Sequence, residues 1–504
     1  MWARAARLAA AGSLGAVMAR ATSCAALGTT QNVTFDERAP EHWIEVSQRK
    51  LADSLADWTT MEYESSLAAL RAAYRFPAGV MLALKSHFLS EASLGLAGQP
   101  SSLRMLPSFV NQRVTGNEAG HFYALDLGGT NFRVLRVPLE GGGVVGPIKS
   151  ARFEVPKAIK EGTREELFGF LADSVATFLA KECGGNIEGD LGFTFSFPIT
   201  QSAINEGKLI VWNKGFSAKD CVGADVVQPL QEAFFARGMN LKVKALANDT
   251  VGTMEAAAYS RPNTAMGVII GTGTNAAYIE KTANVGKWRG APCEEMVINT
   301  EWGNLDMRRF MNKFDMRVDS ISDEPGAQTF EKMISGMYLG ELFRLTITDP
   351  QVSGGFSSAC KAALGSAFAE KSSLPTKLMS TIEGDTSPNL SATQKALAEK
   401  GVVRTTLRDR VLLREACVCI STRAARLSAV GIGSLLEMVP ESSEGCTIAV
   451  DGTVFECYPY FKERMEAGLE ELLGEQRARS IQLVLAKDGS GLGAAIIAAI
   501  AKSP

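Results

Sequence analysis

Asp126-Leu-Gly-Gly-Thr-Asn-Phe-Arg133 and Gly271-Thr-Gly-Thr-Asn275 each join two short apolar runs, residues 122–127 with 132–137 and residues 266–270 with 276–279. The runs alternate with the period of two that marks a β-strand, so each stretch is predicted to be a hairpin turn between antiparallel strands. Glycine allows the positive φ and close backbone approach of a tight turn. Exposed N–H groups and Thr hydroxyls are donors suited to phosphate oxygens. Two such turns can hold a phosphate tail from both sides. The strand–turn–strand unit recurs after about 145 residues, from Asp126 to Gly271, which predicts an internal duplication and two related lobes.

The second turn also fits Gly-x-Gly-x-x-Ala from Gly271 to Ala276. A dinucleotide-binding reading needs a helix to begin there, and Ala276-Ala-Tyr-Ile-Glu280 continues as strand. No Gly-x-x-x-x-Gly-Lys-Ser/Thr, His-Arg-Asp or Asp-Phe-Gly occurs, which removes the P-loop and protein-kinase classes.

Working outward, apolar spacing predicts two or three helices over 42–94, interrupted at Pro77, and further helices over 165–179, 226–235, 330–343 and 411–436, the last broken at Gly431 and Gly433. Strands are predicted at 191–197, 242–247, 447–450 and 481–486. A helix over 251–259 is capped by Asp249 or Thr250, residues 376–397 read as loop, and an Ala-rich helix closes the chain. The fold class is α/β with mixed sheets in two lobes.

At 504 residues the chain exceeds one ordinary core, and length predicts two or three domains. With 46% hydrophobic and 21% charged residues and a net charge of −3, the composition is globular and offers no basic surface for nucleic acid. Nine cysteines without a Cys-x-x-Cys pair read as reduced thiols. The only histidines are His42, His87 and His121, so acid–base chemistry falls to a carboxylate. The first 35 residues carry Arg4, Arg7 and Arg20 and no acid before Asp36, the composition of a transit peptide. Residues 8–19 are too short to span a bilayer, which takes about 20 apolar residues. A leader at 1–38 addressed to the plastid is expected, with the mitochondrion, or the cytosol with weak membrane anchoring, as alternatives.

Asn248-Asp-Thr-Val-Gly-Thr253 puts a carboxylate between a strand and a helix, where taken alone Asp249 reads as an N-cap worth about 1 kcal/mol. The order of such segments is more specific than any one of them. Leu106-Pro-Ser108, Asp126 to Arg133, Leu191-Gly-Phe-Thr-Phe-Ser-Phe-Pro198, Lys214-Gly-Phe216, Asn248 to Thr253, Gly271 to Asn275, Glu301-Trp-Gly303, Glu331-Lys-Met-Ile-Ser-Gly-Met-Tyr-Leu-Gly340, Asp451-Gly-Thr453 and Asp488-Gly-Ser-Gly491 follow one another. This succession resembles the hexokinase family from about residue 43 to the C-terminus. Gly-Thr-Asn-Ala-Ala-Tyr278, Lys287-Trp288 and Asp385-Thr-Ser-Pro388 are most similar to its plant and green-algal branch.

The resemblance implies an actin-like ATPase (ribonuclease H-like) fold with ATP and sugar in an interlobe cleft. The small lobe would cover 43–246 with a helix from 491–504 returning to it, and the large lobe 247–490. It implies that Asp126, Gly128, Gly129, Thr130, Asn131, Thr272, Gly273 and Thr274 grip the phosphates. Asp451, Gly452, Thr453 and Ser490 would hold the nucleotide, and Asp126 would hold Mg2+ through water. Ser196, Asn213, Lys214, Asn248, Asp249, Asn275, Glu301 and Glu331 would hold the hexose, with Asp249 as the base and Lys214 and Arg133 stabilising charge. The implied activity is ATP-dependent phosphorylation of D-glucose, and less well mannose or fructose, at the 6-hydroxyl. A monomer with no nucleic-acid partner and no firm membrane span is expected. A glucose sensor without turnover would have lost Asp249 or the phosphate turns, and all are intact. Asn213 stands where most relatives have Thr and Thr300 where many have Met, which predicts an altered KM.

Overall fold

A computed structural model describes residues 61–128, 131–183, 188–212, 215–439 and 445–501; the expected leader lies outside them. Both glycine turns join antiparallel strands, as the alternation predicts. Ala119–Leu127 pairs with Asn131–Gly141, with Asp126 opposite Arg133, and Thr264–Ile270 pairs with Thr274–Lys281, with Ile269 opposite Asn275. Each hairpin gains a third antiparallel strand, Lys149–Glu154 in one case and Glu295–Asn299 in the other. The opening strand of each hairpin then has a parallel neighbour, Glu188–Phe195 or Cys446–Asp451, followed by a second, Asn240–Ala247 or Ile481–Leu485. The two sheets thus repeat one order of strand directions, so the duplication is topological, and the mixed actin-like arrangement is the one expected. Leu106–Pro107 extends the second sheet by pairing with Glu295–Asn299, although it precedes the first sheet in sequence.

Two helices lie between the sheets. Asp249–Ser260 packs on the second sheet, Gly489–Ile500 packs on the first, and the two helices pack on each other. Glycine sets their spacing: a Cβ on Gly493 would stand 1.8 Å from the Gly252 carbonyl oxygen, and one on Gly192 would stand 1.9 Å from that of Ala494. Backbone contact of this kind tolerates no side chain.

The chain gathers into two compact units. One comprises Met1–Ala73, Thr346–Leu374 and Leu378–Cys419; within it the Arg408 guanidinium lies over the Tyr63 ring at 4.5 Å and Asp409 accepts from the N–H groups of Ser357 and Thr406. The other comprises Tyr74–Leu345, Pro375–Lys377 and Ile420–Pro504 and contains both sheets. Met61–Ala97 is apolar enough over part of its length to cross a membrane, yet Met81, Leu84, Phe88, Ala92 and Leu96 are buried in the fold.

Three predicted elements differ. Leu407–Met438 is one unbroken helix, because Gly431 and Gly433 are packing sites: a Cβ would meet the Trp302 ring at 2.8 Å or Leu472 at 2.6 Å. Residues 376–397 hold two short helices, Thr376–Glu383 and most of Ser391–Glu399, with the loop confined to the turn between them, where Asp385 accepts from Ser387 and Thr393. The stretch 330–343 is two helices, Thr329–Ile334 and Gly336–Thr348. They part at Ser335, where the Gly336 N–H turns to the Gly271 carbonyl.

Candidate functional site

Many of the predicted site residues in the described chain lie at or after the carboxyl end of a parallel strand or in one of the hairpin turns. That is where α/β sheets bind ligands, because strands end there and helix N-termini begin. Arg133 and Asn275 instead lie on the returning hairpin strands, Glu301 follows an antiparallel strand and Glu331 is in a helix. Ser196 follows Glu188–Phe195, Asn248 and Asp249 follow Asn240–Ala247, Gly452 follows Cys446–Asp451, and Ser490 follows Ile481–Leu485.

On the first turn the groups are charged. Asp126, buried at its strand end, accepts from Arg133 Nη2 at 2.8 Å and from Ser490 Oγ at 2.9 Å, while the other guanidinium nitrogen of Arg133 pairs with Asp488. Burial works against the Arg133 charge, but Asp126 and Asp488 outweigh it and raise its pKa. The Ser490 carbonyl is held by Thr194 Oγ1 at 3.0 Å. Asp451 is half-buried beside this cluster. Burial first, then the charge of Asp488, pushes its carboxyl up to about 6 against the Gly452 N–H that it accepts at 2.6 Å. Gly452 has φ 116°, and a Cβ there would lie 2.5 Å from Ile270, so the Asp451-Gly452 bend is pressed against the second hairpin's strand. Gly129, Thr130 and the side chain of Asn131 lie outside the described residues, as do Asn213 and Lys214.

The second turn is held by neutral groups and one carboxylate. Gly271 N–H bonds the Gly273 carbonyl, and Met337 N–H bonds Thr272. Glu331 Oε2 accepts from Thr274 N–H at 2.9 Å and would meet a Cβ on Gly273 at 2.7 Å. Glu331 thus links the turn to the residue preceding Asn275. Thr272 and Thr453 are exposed.

Beyond the turn, segments distant in sequence meet. Asn248, and neither Asp249 nor Thr250, is the N-cap: its Oδ1 accepts from Thr250 N–H at 2.9 Å and Thr250 Oγ1 at 2.6 Å. Asp249, the first residue of the helix, shares that donor: its Oδ1 also accepts from Thr250 N–H at 2.9 Å. Asn275 Nδ2 donates to Asn299 Oδ1 at 2.8 Å and more weakly, at 3.4 Å, to Asn248 Oδ1 and Glu301 Oε1. Glu301 adopts a left-handed backbone, φ 53°. Ser196 is tied through its N–H to the Leu127 carbonyl, and next to it Phe197 packs on Trp212 and Phe216, which flank Asn213 and Lys214 in sequence. A cavity of about 410 Å³ adjoins Asn248 and Asn299 and is lined also by Ser108, Thr200 and Trp288.

Sequence reasoning placed Asp488 within a motif without giving it a role and left Asn299 unassigned. The local signal for Asn299 was its place two residues before Glu301; it ends the strand Glu295–Asn299, and Glu301 lies beyond that strand. Thr300, one of the two departures, is fully buried with Oγ1 donating to the Ala276 carbonyl at 2.8 Å, a packing role within the sheet. Among the described residues no group of three or more His, Cys, Asp or Glu side chains converges for a metal. A lone buried carboxylate, Asp126, does fit magnesium that arrives on a nucleotide, because that ion keeps most of its waters and needs one or two carboxylates plus phosphates.

A family model described as hexokinase matches residues 66–259, and a second of the same description matches residues 265–500. Hexokinase-1 of Oryza sativa subsp. japonica is 42% identical over 455 residues, covering 86% of this chain and 90% of that protein. Hexokinase-1 of Arabidopsis thaliana is 41% identical over 432 residues, covering 81% and 85%. Among solved structures, the hexokinase from Schistosoma mansoni complexed with glucose aligns with a TM-score of 0.78 at 35% identity, covering 87% of this chain and 100% of that one.

Proposed function

The chain belongs to the hexokinase family and phosphorylates glucose with ATP, and from that premise we propose which of its side chains perform the reaction. The reading rests above all on the meeting of Asn248, Asn275, Asn299 and Glu301, brought together from three segments beside Asp249 and one residue from the turn that Glu331 holds. Amides that both donate and accept, together with carboxylates that accept, are what a ring of hydroxyls requires.

In this reading Ser196, Asn213, Lys214, Asn248, Asn275, Glu301 and Glu331 hold the hexose. Asp249 takes the proton from the sugar's 6-hydroxyl as that oxygen attacks the terminal phosphorus of ATP, and ADP leaves. The backbone of both glycine turns, with Thr272, Thr274, Asp451 to Thr453 and Ser490, holds the nucleotide. Arg133 and Lys214 offset charge on the transferred group. Base assistance contributes about 10²- to 10⁴-fold, and the remainder comes from positioning and electrostatics. Asp126 would hold, through water, magnesium that arrives with the nucleotide, and that ion would supply charge neutralisation on the phosphates.

The lobes in this reading run over 43–246 and 247–490, with the closing helix serving the first, and closing them on the sugar excludes water from the acceptor position. The plastid is the proposed destination, and a fusion of residues 1–40 to a fluorescent reporter tests it: plastid import supports the proposal, mitochondrial or diffuse signal overturns it. For the reaction, ADP release is measured with and without glucose. Release that requires glucose is expected; equal release without it, or none with it, contradicts the assignment.

A further inference from the structure

The Asn299 side chain makes three bonds, all to Asn275 and Glu301, residues that the proposed reading assigns to the sugar. Its Oδ1 accepts from Asn275 Nδ2 at 2.8 Å and from Glu301 N–H at 3.3 Å, and its Nδ2 donates to Glu301 Oε1 at 2.8 Å. The amide has therefore one orientation: its nitrogen faces a carboxylate and its oxygen faces two N–H donors. Its backbone is fixed on both sides, since Asn299 pairs with Ala277 on one neighbouring strand and with Leu106 on the other. The side chain is 8% exposed, so its bonds are shielded from competing water.

The partners need this support. An amide has two N–H hydrogens, and Asn275 commits one of them strongly, to Asn299, while its Oδ1 is taken by the Ala276 N–H at 2.8 Å. The second hydrogen reaches only 3.4 Å contacts with Asn248 and Glu301, distances at which a hydrogen bond is weak. That hydrogen is consequently aimed but barely engaged. Glu301, for its part, holds a left-handed backbone that a side chain with a Cβ adopts at a cost. The Asn299 oxygen on its N–H and the Asn299 nitrogen on its carboxylate hold both ends of that residue.

We infer that Asn299 is the positioning residue of the sugar site, fixing the direction of the Asn275 amide and the Glu301 carboxylate and thereby setting hexose affinity without entering the phosphoryl-transfer step. The inference rests on the assignment of Asn275 and Glu301 to the sugar. Replacing Asn299 by Ala leaves a carboxylate without its charge-assisted bond, and glucose KM rises about ten- to a hundredfold with kcat nearly unchanged. Asn299→Asp gives a sharper readout. Its carboxylate faces that of Glu301, and like charges so placed share a proton more readily as the pH falls. A protonated Asp again donates to Glu301, so the ratio of variant to native KM falls toward one between about pH 8 and pH 6, whereas the ratio for Asn299→Ala stays flat.

The experiment measures glucose KM and kcat for Asn299→Ala, Asn299→Asp, Asn275→Ala and Glu301→Ala, with calorimetric glucose Kd and melting curves for each. Raised KM in all four, with the pH-dependent recovery confined to Asn299→Asp, supports the inference. A native KM in Asn299→Ala, a flat ratio for Asn299→Asp, or a kcat loss as large as the KM rise overturns it. If Asn275→Ala and Glu301→Ala themselves leave KM and Kd native, the sugar assignment fails first, which separates that failure from failure of the role of Asn299.

Discussion

The two glycine turns sit in the same frame of strands and are surrounded by different side chains. Each joins two antiparallel strands, and each opening strand has a parallel neighbour that in turn pairs with a second parallel strand. At the first, the chain surrounds the turn with charge: Asp126, Arg133 and Asp488 form a relay that also reaches Ser490. At the second, a single carboxylate, Glu331, accepts from the turn's own backbone, and the next residue, Asn275, opens a neutral amide network. In the proposed reading one duplicated frame serves two chemistries because the residues added around it differ: the charged turn faces the polyanion, and the second turn passes from phosphate to hydroxyl groups.

That division can be broken by substitution. The largest effect is expected at the charged turn: Arg133→Ala removes the donor that the proposed reading gives to the transferred group and lowers kcat by about 10²- to 10³-fold, with glucose Kd measured by calorimetry unchanged. An equal weakening of glucose binding would show that the first turn serves the sugar as well. Next, Gly273→Ala pushes a methyl against the Glu331 carboxylate, which stands 2.7 Å from that position, and raises glucose KM about tenfold. The Gly273→Ala/Glu331→Ala double variant should be no worse than Glu331→Ala alone, since both act through one contact. Additive losses in steady-state kinetics would separate Glu331 from the turn. A smaller change is expected from Asn213→Thr, because Asn and Thr both hydrogen-bond a hydroxyl; a modest shift in glucose KM sharpens the sugar side, and none makes that position silent.

The least effect on catalysis, but a diagnostic one on stability, belongs to Glu255 in the helix between the sheets. Burial, with a smaller contribution from the nearby Glu118 charge and against that of Arg113, raises its carboxyl to about 8. The folded protein thus keeps a proton that the unfolded chain releases near the ordinary carboxylate value of about 4.3. Its contribution to stability is complete below that value and is lost as pH rises toward about 8. Glu255→Gln should melt increasingly above the native protein as the pH is raised from 6 to 8.5 in thermal scans, and a gap independent of pH would contradict the buried proton.

The turns were legible in the sequence because Gly-Thr sits between runs of period two, a local signal. The order of short motifs carried the site: Asn248 and Asn275 lie at strand ends that the pattern marks, whereas Glu301 came from the motif order alone, since no strand was predicted before it. What escaped was set by tertiary packing. Gly431 and Gly433 read as helix breakers, yet they make room for Trp302 and Leu472, and no local pattern distinguishes these uses. The break at Ser335 is imposed by Gly336 reaching Gly271, 65 residues away. Asn248 and Asp249 compete for the cap by type, and only geometry gives it to Asn248. Asp488 and Asn299 matter through partners far along the chain or on the far side of a strand turn.

The account turns on Asp249 as the base that deprotonates the sugar. Steady-state turnover and calorimetric glucose affinity of Asp249→Ala test it together. A kcat at least about 10²-fold below native with glucose still bound is the predicted result. Near-native turnover, or a loss of rate explained entirely by lost glucose binding, would contradict it.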